Sequence, residues 1–170
     1  MPTARASRRI AAPAEHLWRI VSDPYHLPRW WPRVERVEDV DGGAFTEVMK
    51  TKAGKTVRAD FLLVRDEPGA GTIIWRQQLE GTPFAGVLSH SETELHVVAL
   101  TEDARECEVT IELRQELSGR PPLHAEAARD APPQPPKQRR WSPSLGGWLL
   151  RRAASRQIEE ALDGLEEISG

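Results

Sequence analysis

Near the end of the chain the apolar residues Leu150, Ala154, Ile158, Ala161, Leu165 and Ile168 recur at steps of four or three. That is the period of an α-helix with one covered stripe. The spacing predicts a helix over 144–168, whose opposite face carries Arg151, Arg152, Arg156, Glu159, Glu160, Asp163 and Glu167. About 25 residues at roughly 1.5 Å each give a rod of about 37 Å, long enough to need a large apolar surface against it.

The chain before this helix alternates with the period of strands. Residues 3–11 form a first strand with weak alternation. A helix then starts at Ala12-Pro13-Ala14-Glu15, where proline suits the first turn and an acid suits the dipole. Leu17, Trp18, Ile20 and Val21 make its apolar side, and Asp23-Pro24 ends it, because the residue before proline is pushed out of the α region. A second short helical turn lies in Tyr25 to Trp31, closed by Pro32. Val34, Val37 and Val40 then lead into the turn Asp41-Gly42-Gly43, with Ala44 to Thr51 returning as a hairpin partner.

After the Lys52 to Lys55 turn, Val57, Ala59, Phe61 and Leu63 alternate as a half-buried antiparallel strand. Thr72 to Leu79 follows, with Trp75, Gln77 and Leu79 on one face, and a long strand runs within Phe84 to Leu100. In the last strand Cys107, Val109, Ile111, Leu113 and Leu117 oppose Glu106, Glu108, Thr110, Glu112, Arg114 and Glu116, of which Glu108, Glu112 and Glu116 are expected to face water and pair with neighbours such as Arg114. Prolines 121, 122, 132, 133, 135 and 136 break every period in 118–143, predicting a flexible loop that is either a flap over one cavity mouth or only a linker. About seven hairpin-linked strands with helices segregated from them indicate an α+β fold with an antiparallel sheet, expected to curl around the last helix as one domain over 1–170.

With 170 residues, 39% hydrophobic and 29% charged, the chain can bury an ordinary globular core. No apolar run reaches the roughly 20 residues of a membrane span, and Met1 to Arg9 lacks the apolar core of a secretory signal. A cytoplasmic protein is expected. A net charge of −3 gives no global field for nucleic acid. The lone Cys107 excludes an internal disulfide and, between apolar neighbours, is expected to be buried and inert.

The run Ile10 to Trp18, followed by Ser22-Asp23-Pro24 and Leu27-Pro28-Arg29-Trp30-Trp31-Pro32, combines an Ala-Pro helix start, an Asp-Pro stop and a Trp-Pro exit. In this, and in the order strand, two short helices, six strands and long helix, the chain resembles the START-like (SRPBCC) superfamily, which includes polyketide cyclase/dehydrase and lipid-transport proteins. The resemblance implies a helix-grip fold with an apolar cavity between sheet and helix. It does not imply one reaction.

No histidine pair has the i, i+4 spacing of a helical metal site, and Gly69-Ala70-Gly71 lacks the helix of a nucleotide loop, so neither metal nor cofactor is expected. Glu47 shares parity with Phe45 and Met49 and is, with His96, a candidate proton-transfer group, although a lone acid more often faces water. Six tryptophans are many for this length. Core packing accounts for most such residues, but Trp30, Phe61, Trp75, Gln77, Phe84, Val109, Ile111, Leu113, Gln115 and Trp148 together suit a cavity in which a few polar groups orient an apolar guest. Thr93 and Leu95 join them if Ser91, Thr93, Leu95 and Val97 face inward; a one-residue slip would turn Glu92, Glu94 and His96 inward instead.

The expected function is binding or transport of an apolar or aromatic small molecule, lipid-like or polyketide-like. The alternatives are a cyclase/dehydrase acting on such a ligand and an interaction module with a vestigial cavity. Lys137, Arg139, Arg140, Arg151, Arg152 and Arg156 form a basic run that would make a weak contact with an anionic membrane surface.

Overall fold

The structure, a computed structural model, describes residues 3–119 and 143–170. The loop expected over 118–143, flap or linker, therefore lies almost wholly outside the described residues. Strand β1 (Ala4–Ile10) leads to helices α1 (Ala14–Val21) and α2 (Leu27–Trp30). Six strands follow: β2 (Val34–Asp41), β3 (Ala44–Lys50), β4 (Thr56–Glu67), β5 (Thr72–Gln78), β6 (Leu88–Ala99) and β7 (Cys107–Leu117). Helix α3 (Pro143–Ser169) closes the fold. The strands form one antiparallel sheet in the order β1-β7-β6-β5-β4-β3-β2, so the first strand docks beside the last and the rest are hairpin neighbours. This is the helix-grip arrangement.

Local chemistry explains the joints. Asp23 stops α1 by accepting a 3.0 Å hydrogen bond from the Tyr25 amide, the side-chain cap of the next turn. Gly42 and Gly43 have φ of 54° and 83°, the left-handed pair required by a tight hairpin turn. The valines of β2 are spaced by three because the strand slips register against β3 between Val34 and Arg36 and again between Glu38 and Asp41. Each bulge adds a residue and restores the inward face. The long strand expected within Phe84 to Leu100 is β6, and Phe84 before it sits in a 3-10 turn over Pro83–Gly86, since Pro83 has no amide for a ladder.

The inward parity of β6 is Ser91, Thr93, Leu95 and Val97, all buried. Thr93 lies opposite Leu113 and Leu95 opposite Ile111 on β7, so the inner face is continuous. The outer face is a lattice of ion pairs. Glu112, expected in water, is covered there: Arg114 lies 2.6 Å from it and Arg5 3.9 Å. Arg114 also reaches Glu94 at 2.7 Å, which holds the Glu94 carboxyl below its ordinary range against the opposing effect of burial. Cys107 is buried, and burial raises its thiol, consistent with an inert side chain.

Helix α3 packs mainly on β1, β7 and α2. Its buried stripe is Ala154, Ile158, Ala161, Leu162 and Leu165. At the β1 side, Arg8 binds Asp163, Glu166 and Glu159 at 2.5, 3.0 and 3.0 Å, three carboxylates presented along one face of α3. At the α2 side, a Cβ on Gly164 would lie 2.6 Å from the Trp30 carbonyl oxygen and 2.9 Å from its Cα. Only glycine permits that approach. Gly164→Ala should therefore lower stability by about 1–3 kcal/mol in chemical denaturation, reversing the usual helical gain. Gly147→Ala, whose Cβ would meet only the Arg151 guanidinium at 3.6 Å, should be neutral or stabilising by up to about 1 kcal/mol. Equal effects at the two positions would refute the steric account.

Candidate ligand-binding cavity

Because α3 lies towards β1 and β7, it leaves the inner face of β3 to β5 partly uncovered. The gap is a cavity of about 160 Å³ lined by Trp31, Glu47, Met49, Phe61, Trp75, Gln77, Phe84, Leu88, Ser91, Thr93, Leu113, Gln115 and Gln157. Of the residues expected to line it, Phe61, Trp75, Gln77, Phe84, Thr93, Leu113 and Gln115 converge here. Leu95, Val109 and Ile111 face inward but are consumed by core packing. Trp30 is also in the core, and its neighbour Trp31 takes the cavity wall. The two indoles meet edge to face, 5.4 Å apart, so one turn of chain supplies both a core residue and a wall residue. Trp148 is 46% exposed on α3, with the Arg152 guanidinium 5.3 Å from its ring centre, and does not line the cavity.

The wall is an aromatic array. Trp31 meets Trp75 at 6.3 Å, Trp75 meets Phe45 at 6.3 Å, and Phe45 stacks on Phe61 at 5.3 Å. Offset and edge-to-face pairs of this kind add to their area burial. Behind Phe45 and Trp75 lies a second chamber of about 180 Å³, lined also by Val21, Pro24, Leu27, Leu63 and Ile73. On the other side Met49 and Gln157 are shared with an outer pocket of about 320 Å³, bounded by Pro32, Arg33, Lys52, Ala153, Arg156 and Glu160.

Glu47 is the distinctive group. It sits mid-strand on β3, opposite Val37 on β2 and Ala59 on β4, and is 2% exposed. The expectation that it faces water is overturned: Phe45, Glu47 and Met49 share the inner parity, and covering the first and last covers the acid between them. Among the described residues no cation and no hydrogen-bond donor reaches its carboxyl. Burial alone pushes it up to about 8, so it is mainly protonated at neutral pH. A neutral carboxyl offers a cavity guest one O–H donor and one acceptor. Across the cavity Gln115 donates to Ser91 Oγ at 3.4 Å, so the far wall is polar as well.

His96, the other candidate, faces outward. Its Nδ1 is 3.0 Å from Thr72 Oγ1 and its Nε2 is 2.7 Å from Glu94. Three of the six basic residues considered for a membrane contact, Lys137, Arg139 and Arg140, lie outside the described residues. Arg151 and Arg152 are exposed on α3, while Arg156 bounds the outer pocket. Among the described residues no group of three or more histidine, cysteine, aspartate or glutamate side chains could hold a metal ion, and no helix is long and apolar enough to cross a membrane.

A curved sheet gripping a helix above an apolar cavity with a few inward polar groups defines a START-like helix-grip protein. The chain belongs to the polyketide cyclase/dehydrase and lipid transport family, whose model matches residues 1–169. Comparison with curated protein sequences finds no significant match. Among solved structures, the chain is similar to the di-domain aromatase/cyclase BexL from the BE-7585A biosynthetic pathway, with a TM-score of 0.70 and 17% identity over 96% of this chain. It spans 45% of that protein. A START superfamily protein from Mycobacterium smegmatis has a TM-score of 0.66 and 14% identity, covering 98% of this chain and 95% of its own. The Zhui aromatase/cyclase from Streptomyces sp. R1128 has a TM-score of 0.64 and 17% identity, covering 98% and 92%. These likenesses establish the fold.

The buried acid gives a pH signature. Folded Glu47 holds its proton up to about pH 8, whereas the unfolded carboxyl releases it near 4.5. Between those values the native state binds more protons than the unfolded state, so stability falls as pH rises, by at most roughly 1.4 kcal/mol per unit. Above pH 8 this group adds no further loss. Glu47→Gln removes the titration while keeping the shape. The difference in denaturation free energy between variant and wild type should therefore grow in the variant's favour from pH 5 to pH 8; a constant difference would show that Glu47 does not titrate there.

Proposed function

We propose that the protein binds an apolar or aromatic small molecule carrying oxygen substituents in the cavity between sheet and α3. The observation that carries this reading is the cavity itself: an aromatic wall of Trp31, Phe61 and Trp75 facing a short set of polar groups, Glu47, Gln77, Ser91, Thr93 and Gln115. Apolar walls supply affinity and sparse polar groups set orientation. The inner cavity alone is smaller than the roughly 300 Å³ usual for a ligand pocket. A guest of lipid-like or polyketide-like size therefore extends past Met49 and Gln157 into the outer pocket, or displaces Trp75 to join the second chamber. The family match and the aromatase/cyclase structures with the same fold support this ligand class.

Glu47 favours a second reading, a cyclase/dehydrase-type enzyme. An acid near pKa 8 inside the cavity is matched to proton transfer at neutral pH, because it both gives and takes a proton there at little cost. In that reading Glu47 protonates a carbonyl oxygen of the guest or removes a proton beside it, and the aromatic wall holds the chain in the folded shape that reacts.

Native mass spectrometry of protein purified from its own host, with extraction of the retained compound, tests binding. An apolar oxygenated adduct is expected on the wild type and absent from Ser91→Phe, which fills the cavity; circular dichroism checks that this variant is folded. Wild type without adduct, and without any change in tryptophan emission on titration with 1-naphthol, would overturn the binding reading. The enzyme reading predicts that Glu47→Gln keeps binding the extracted compound but loses its conversion; undiminished conversion by that variant would remove Glu47 from the chemistry.

A further inference from the structure

The outer pocket differs in charge from the inner cavity, from which it is divided by the shared residues Met49 and Gln157. Its rim holds Arg33, Lys52 and Arg156 against one carboxylate, Glu160. Arg156 lies 3.6 Å from that carboxylate. Among the described residues Arg33 and Lys52 have no ion-pair partner. Their neighbours are different: Lys50 pairs with Glu35 at 3.0 Å, Arg36 with Glu38 at 2.6 Å and Arg58 with Glu38 at 2.6 Å. Acids are thus available on the same strands, yet none is aimed at the two rim cations.

Both rim cations are carried on pinned backbone. Arg33 adopts φ of 68°, a left-handed conformation that a non-glycine residue takes only when its surroundings impose it. Its carbonyl oxygen accepts a hydrogen bond from the Lys50 amide at 3.3 Å, tying it to the end of β3. Lys52 stands in a turn held by the Thr51 amide to the Lys55 carbonyl and by the Gly54 amide to the Thr51 carbonyl, each at 2.9 Å. The third cation, Arg156, comes from α3, one residue before Gln157, which faces the inner cavity and the outer pocket alike. Three separate parts of the chain therefore place positive charge around one opening.

We propose that this pocket is the mouth of the cavity and an anion subsite, and that the ligand of the cavity is an amphipathic anion: an apolar body directed inward past Met49 and Gln157, with a carboxylate or phosphate end held at the mouth by Arg33, Lys52 and Arg156. This rests on the binding reading above and narrows its ligand class. The inner chamber offers an anion no cation and lies against a carboxyl that itself resists ionisation, whereas the mouth supplies guanidinium and ammonium donors suited to oxyanions. The gradient of charge along the opening fixes which end of the ligand enters first.

Calorimetric titration of the full chain with decanol, decanoate and decyl phosphate at pH 7 tests this. At low ionic strength decanoate is expected to bind about tenfold tighter than decanol, a difference of about 1.4 kcal/mol, and decyl phosphate tighter still if a phosphate ester is the preferred end. An advantage of decanoate without further gain for decyl phosphate assigns the subsite to a carboxylate. The preference should shrink towards parity in about 0.5 M salt, where screening is within a few ångströms. It should also collapse in the Arg33→Gln, Lys52→Gln double variant, read as the ratio of decanoate to decanol affinity in the same protein. Equal binding of decanol and decanoate by the wild type overturns the anion subsite and leaves the binding reading intact; binding of none of the three overturns both. A preference that survives the double variant shows that the charge is read elsewhere, and overturns the assignment to this mouth.

Discussion

A seven-stranded sheet with one apolar face needs a cover for that face, and α3 is the only long element available among the described residues. A single helix cannot cover the whole face. Its seat is set by the buried stripe Ala154, Ile158, Ala161, Leu162 and Leu165, joined at its C-terminal half by the Arg8 guanidinium gathering Glu159, Asp163 and Glu166 and by the backbone approach of Gly164 to Trp30. Together they draw the helix towards β1 and α2. The inner face of β3 to β5 is left for side chains to fill, and they fill it incompletely. The cavity is thus a consequence of where the helix is anchored.

That geometry sets the chemistry of the lining. Close to the helix seat, aliphatic residues such as Leu95, Ile111 and Leu165 pack without remainder. Away from it the gap is bridged by Trp31, Trp75, Phe45 and Phe61, rings large enough to span space but too rigid to close it fully. Glu47 lies under this array. Its carboxyl is buried without a partner among the described residues, and burial therefore favours its neutral form.

The outer face and the outer pocket obey different electrostatics. On the outer face Arg76, Arg114 and Arg5 are each matched by Glu92, Glu94 or Glu112, so charge is neutralised locally. At the outer pocket Arg33 and Lys52 have no ion-pair partner among the described residues. Fold similarity to aromatase/cyclase structures at 17% identity carries no information about this difference, because it depends on three side chains and not on the path of the backbone.

What the sequence alone determined follows from periodicity and local sterics. The 3.6-residue stripe of α3, the strict alternation of β7, the Asp-Pro stop after α1 and the Gly-Gly hairpin each depend on residues close together in the chain, and each was readable there, as was the gathering of Phe61, Trp75, Gln77, Thr93 and Gln115. Tertiary structure alone decided the rest. The three-residue spacing of Val34, Val37 and Val40 acquires meaning only with the bulges that β3 imposes on β2. Parity put Glu47 on the side of Phe45 and Met49, but whether that side was wet or dry depended on rings contributed by α2's exit and by β5. Trp30 and Trp31 are adjacent in sequence and both buried, and only the folded chain sets Trp31 on the cavity wall. The outer pocket joins residues 33, 52 and 156, and no local pattern records a juxtaposition created by packing.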